Sequence, residues 1–166
     1  VSQRLTLPSK DASVQLDSAQ LARVLAVSPV ARLASIGADG APHVVPIVFV
    51  AVDGRLYSPI DGKPKRGAVL QRLRNVARRP DVSIVIDRYE ADWRRLWWVR
   101  IDATARAVTR ADVATATWER VVVALRGKYP QYDAVPLFDG APTLLRMTPE
   151  RHAAWSAQPL DWETIE

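Results

Sequence analysis

No cysteine occurs among the 166 residues, which excludes disulfides, thiolate metal sites and a thiol nucleophile. Histidine is nearly as scarce. His43 and His152 are too few for a His-based metal cage, and no carboxylate cluster makes up the difference, so no metal is expected. No apolar run approaches the ~20 residues that span a bilayer, and Val1 to Ser18 lacks the apolar stretch of a signal peptide. The expected location is therefore the cytoplasm, with no membrane partner. Walker A, G-x-G-x-x-G and nucleophile-elbow motifs are also missing. No catalytic base or nucleophile can be named from such a sequence. An enzyme built from it would take its chemistry from a bound cofactor.

What the chain does have is positive charge. The net charge is +5 and the isoelectric point about 10.0, values that suit an anionic ligand. The surplus is concentrated. Residues 63–79 contain Lys63, Lys65, Arg66, Arg72, Arg74, Arg78 and Arg79 and no Asp or Glu. Tyr57-Ser58-Pro59-Ile60 reads as a strand end, and Pro64 opens a predicted helix that runs to Arg79, because proline is favoured at a first helical position. Cations at a helix start oppose the macrodipole, so Lys63, Lys65 and Arg66 there call for an anion such as phosphate. The competing reading is a solvated basic turn. Nucleic acid shares the charge requirement, but the RNP1 motif is missing and no nucleic-acid partner is expected.

Hydrophobic residues make up 48% and charged residues 25%, an ordinary globular balance for one domain over residues 17–166 behind an irregular arm, 1–16. Asp17 can cap a helix through about Ser28, with Leu21, Val24, Leu25 and Ser28 on one face. Val30 to Ile36 and His43 to Val52 read as strands around the Gly37–Gly40 turn. Asp53-Gly54 then makes a two-residue hairpin into Arg55 to Ser58. Further strands follow at Val82 to Tyr89, Leu96 to Thr109 and Thr143 to Met147, with Pro149 to Trp155 continuing the last or turning away. Another helix covers Asp112 to Gly127. About six strands with tight antiparallel connections predict an antiparallel barrel with peripheral helices. Trp97 and Trp98, adjacent in a strand, must point to opposite faces, and Arg94, Arg95 and Arg100 offer them cation–π partners.

Ala31-Arg32-Leu33-Ala34-Ser35-Ile36-Gly37, the Asp39-Gly40 turn and Pro42-His43-Val44-Val45-Pro46-Ile47 resemble the opening hairpin of the pyridoxamine 5'-phosphate oxidase-like split barrels. Asp61-Gly62-Lys63-Pro64-Lys65-Arg66, Leu70 to Asn75, Pro80-Asp81-Val82-Ser83 and Leu96-Trp97-Trp98-Val99-Arg100 are similar to an actinobacterial branch described as probable coenzyme F420-dependent enzymes. The resemblance spans roughly residues 17–155. It implies a mainly β (α+β), six-stranded antiparallel split β-barrel that forms a homodimer, with F420 or FMN at the subunit interface. Lys63 and Lys65 would then hold the cofactor phosphate beside Tyr57 and Ser58, with Arg66 and Arg72 as further cations. Val45, Pro46 and Ile47 would line the ring, and Trp155 would approach it from the other subunit. Hydride transfer to an unidentified organic substrate is the implied chemistry. Some members of the family only bind flavin or tetrapyrroles.

Overall fold

The computed structural model describes residues 13–60, 70–138, 140–162 and 165. Lys63, Lys65 and Arg66 lie outside them. Among the described residues eight strands appear: β1 Ser13–Val14, β2 Ala31–Ile36, β3 Pro42–Ile47, β4 Val50–Val52, β5 Arg55–Pro59, β6 Asp81–Arg88, β7 Trp97–Thr109 and β8 Thr143–Ser156. Three helices accompany them: α1 Ser18–Val27, α2 Gln71–Arg78 and α3 Thr115–Lys128. All strand pairs are antiparallel, in the order β3-β2-β6-β7-β8-β5-β4, with β1 also pairing with β8.

This order closes a barrel by itself. Its two end strands, β3 and β4, are separated in sequence only by Val48 and Phe49. The sheet must therefore curl until its edges meet at that joint, leaving a seam between strands that are joined by chain and not by a ladder. Phe49 is fully buried there. The Tyr129 hydroxyl accepts the Phe49 N–H at 2.9 Å and lies 2.8 Å from the Phe49 carbonyl and 3.0 Å from that of Pro29. Its one proton serves one carbonyl at a time. Backbone groups that lose their ladder at the corner are thus satisfied by a side chain from the end of α3.

Two apolar clusters follow from the period of two along the strands. Inward positions such as Leu33, Ile84, Ile101 and Met147 fill the barrel together with Val24 and Val76 from the helices. Outward positions Tyr57, Val108 and Leu144 pack beneath α3 with Trp118, Val121 and Leu125. α2 is tied to the barrel by a polar contact: Asn75 donates to the Ser35 hydroxyl at 2.9 Å, and both residues are buried.

Several expectations need correction. The predicted continuous strand His43 to Val52 is broken at the barrel joint. Of the two readings of Pro149 to Trp155, continuation holds: β8 runs to Ser156, and Glu150 is the extra residue of a bulge where Asp102 faces Arg151 and Ala103 faces Pro149. Part of the expected irregular arm is ordered: Ser13–Val14 adds a strand to β8, and Leu16 enters the core. The helix expected from Pro64 begins at Gln71, after Leu70 in an extended conformation (ψ 138°). Pro64 itself lies outside the described residues, and the extended Leu70 separates Lys63, Lys65 and Arg66 in sequence from the first turn of α2. The Asp53-Gly54 turn forms as read, with φ of 51° and 70°, the left-handed pair that such a hairpin requires.

Candidate functional site

The outward positions of β3, β2, β6, β7 and β8 make one continuous face. Register aligns Pro46, Arg32, Val85, Arg100 and Ala153 in one row across the five strands, and Val44, Ala34, Ser83, Asp102 and Arg151 in the next. A third row runs Asp87, Trp98, Trp155. Val44 is 60% exposed and Pro46 is exposed, an apolar strip on an edge strand. Ion pairs cross the middle of the face: Arg32 with Asp87, Arg151 with Asp102 at 2.8 Å, and Arg100 with Asp102 at 3.4 Å. Hydrogen bonds from Arg151 and Ser83 and the nearby Arg100 hold the Asp102 carboxyl below its usual range.

Each site residue read from the sequence has a definite place or lies outside the described residues. Pro46 points to the open face. Val45 and Ile47, one residue either side, turn inward, and Ile47 is part of the core. Tyr57 and Ser58 are both buried, Tyr57 in the cluster under α3. Arg72 is half-buried in the first turn of α2. Trp155 stands opposite Trp98 on β7 and opposite Ser13 on β1. Trp97 takes the other face, packed edge-to-face with Trp162 at 5.7 Å.

Pro46 and Trp155 share the open face without meeting. They lie on strands four inter-strand spacings apart, roughly 19 Å measured along the curved sheet at about 4.8 Å each. The expected cation–π partners of the tryptophans are engaged elsewhere: Arg94 pairs with Asp92 at 2.8 Å, Arg95 with Glu90 at 2.9 Å, and Arg100 with Asp102. Asp92 is held down to about 2 by its hydrogen bonds from Arg94. His152 contacts the Leu16 carbonyl at 3.1 Å, and His43 faces Ser35 across the β2–β3 ladder. Among the described residues no group of three His, Asp or Glu side chains could hold a metal ion, and no helix is long and apolar enough to cross a membrane.

Some contributors were missed in the sequence. Asn75 was one, although an asparagine inside a helix, four residues after Gln71, is a poor helix former and could have been flagged. Lys128 was another. It lines an apolar cavity of about 690 Å³ between α1, α3 and the β4–β5 hairpin. Its ammonium donates to the Leu25 carbonyl at 2.7 Å and lies 4.1 Å from the centre of the Phe49 ring. Burial pushes it down to about 8. A cation in the last turn of a helix is the favoured arrangement, so nothing in the sequence marked it.

Comparison with known proteins bears on this geometry. A search of curated protein sequences gave no match. Among solved structures, a conserved hypothetical protein from Mycobacterium tuberculosis is 22% identical with a TM-score of 0.68, each chain covered over 91%. A FAD-binding protein from Mesorhizobium loti is 22% identical with a TM-score of 0.62, covering 88% of this chain and 99% of its own. The haem storage protein HutZ from Vibrio cholerae is 20% identical with a TM-score of 0.63, covering 84% of this chain and 93% of its own. These likenesses establish the mainly antiparallel fold with its three helices. The sequence model described as pyridoxamine 5'-phosphate oxidase matches residues 18–156, nearly the whole barrel, and the chain belongs to that family.

Proposed function

We propose that this chain forms a homodimer that binds a flavin-type cofactor, coenzyme F420 before FMN, along the open sheet face, and that it is an oxidoreductase. One observation carries the reading. Pro46 and Trp155 both point outward from strands four spacings apart, roughly 19 Å measured along the curved sheet, and a second copy laid across that face would bring its Trp155 toward a Pro46. Apolar edges with a charged middle suit the self-complementary patch that a two-fold requires.

The residues fit a ring-and-phosphate ligand. Val44 and Pro46 offer an exposed apolar strip, and the Asn75–Ser35 contact fixes α2, with Arg72 in its first turn, beside the β2–β3 hairpin. Lys63, Lys65 and Arg66 follow the strand that ends at Pro59 and supply the anion-binding charge. When bound, such a cofactor supplies hydride transfer. The protein's part is to hold the ring against the strip, exclude water over the sheet and leave one side open to an organic substrate. F420 carries a polyglutamate tail, and the surplus of Lys and Arg over residues 63–79 suits it. Tetrapyrrole binding without catalysis is the second reading, supported by the likeness to HutZ.

The test is a fluorescence titration of the purified protein with F420, FMN and haemin. A charge-assisted hydrogen bond is worth ~1.5–3 kcal/mol, so Lys63→Ala and Lys65→Ala should each weaken F420 binding by roughly ten- to a hundredfold. Arg79→Ala, at the far end of α2, should bind like the parent. If both lysine variants bind F420 and FMN as the parent does, the phosphate site lies elsewhere. Haemin binding alone would favour the second reading.

A further inference from the structure

We propose a second anion site, distinct from the cofactor site, on the outward face of β5, β8 and β7, where Arg55, Arg106 and Arg146 take up a doubly charged oxyanion. The ladder register places Arg106 directly opposite Arg146, and Arg146 directly opposite Tyr57. Cβ atoms of such partners are ~5 Å apart, and like charges at that spacing repel. Arg55 sits on the same face, two residues before Tyr57. None of the three arginines makes a hydrogen bond or ion pair with a described residue.

Arg146 is the most exacting of the three. It is half-buried, and its Nε is shielded from solvent with no hydrogen-bond partner. Burial, then Arg106, then Arg55 all disfavour its charge. Asp112 is the described carboxylate that acts on Arg106 and Arg146, and one of its two oxygens, Oδ2, is engaged locally. It accepts the N–H and the hydroxyl of Thr109, each at 2.8 Å. Among the described residues, three guanidiniums against one carboxylate leave a surplus of two positive charges. A planar guanidinium recognises carboxylate or phosphate through paired N–H donors, which is the chemistry this cluster lacks.

The open face of the proposed dimer accounts for none of this. That face belongs to the other half of β7 and β8, beyond the bulge at Asp102, whereas the arginine row adjoins the cluster under α3. The site needs no cofactor and is tested without one.

The experiment is a thermal melt and a calorimetric titration of the cofactor-free protein with inorganic phosphate and with glutarate, each against chloride at equal ionic strength. Phosphate should raise the melting temperature of the parent and of Lys63→Ala/Lys65→Ala. Arg106→Gln and Arg146→Gln should each lose that rise, with affinity at least tenfold weaker, and Arg79→Gln should keep it. Arg106 is exposed, so Arg106→Gln should fold and, in chloride, melt at or above the parent. A response to phosphate alone assigns the site to phosphoryl groups; an equal or larger response to glutarate assigns it to carboxylates. If chloride matches both anions, or if the response vanishes in the lysine variant and survives in the arginine variants, the proposal is overturned.

Discussion

Replacing Tyr129 with phenylalanine removes one oxygen from the joint between β3 and β4. In the parent that oxygen accepts the Phe49 N–H at 2.9 Å and donates to the carbonyl of Phe49 or Pro29, at 2.8 and 3.0 Å. Phe49 is fully buried, so no water can replace the hydroxyl at its N–H. A buried polar group left unpaired costs about 1–3 kcal/mol, and the carbonyl loses a partner as well, so Tyr129→Phe should cost ~2–4 kcal/mol. For a chain of this size that is a fall of roughly 5–15 °C in Tm. Urea denaturation gives the same quantity as a shift in midpoint at unchanged slope. pH supplies an independent check. Burial raises the Tyr129 phenol to about 12, above the ordinary 10.0 of the unfolded chain. Its contribution should therefore be complete below pH 10 and fade between pH 10 and about 12. The phenylalanine variant should lack that alkaline decline. A variant within ~0.5 kcal/mol of the parent, with the same alkaline limb, would show that the hydroxyl does not secure the joint.

Other outcomes follow from the same geometry. Asn75→Ala leaves the Ser35 hydroxyl unpaired in the core and should cost ~1–3 kcal/mol in denaturant melts, with weaker cofactor binding because α2 loosens. Between pH 8 and 10 parent stability should rise, because Lys128 is protonated more readily in the unfolded chain than at its buried site. Lys128→Met should flatten that rise, and an unchanged slope would refute the assignment. Trp98→Glu places a charge on the open face beside Asp87 and Trp155 and should turn the proposed dimer into monomer in sedimentation, with the fold intact by circular dichroism. A parent that sediments as a monomer at micromolar concentration would count against the dimer itself.

Most strand positions and the two tight hairpins were legible because the sequence punctuates them. Asp53-Gly54 dictates its turn, and buried residues alternate along β6 and along β7 as far as Ala105. Asp17 accepts the N–H groups of Ala19 and Gln20, as its position before α1 suggested. The barrel joint was not legible, since Val48 and Phe49 sit in an unbroken apolar run and the break is imposed by closure of the whole sheet. A helix running unbroken to Arg79 was expected because nothing in the sequence marks the extended Leu70 before α2. For the candidate site, Pro46 and Trp155 could be picked out as residues but not as two ends of one face. That relation depends on strand order, which a period of two does not carry. The Arg106–Arg146 pairing is hidden for the same reason, as register makes neighbours of two side chains forty positions apart in the chain.

Val48 and Phe49 are the whole length of chain between the first and last strands of the sheet. Each residue spans at most about 3.6 Å, while neighbouring hydrogen-bonded strands lie about 4.8 Å apart. The length of this link therefore acts as a gauge for the width of the seam. Two glycines inserted after Val48 would give the edges slack comparable to one further strand, without altering any residue in a ladder. Removing one residue would pull β3 and β4 toward direct pairing. Seam width becomes a variable that a designer can set at a single position, independently of what the outer faces bind.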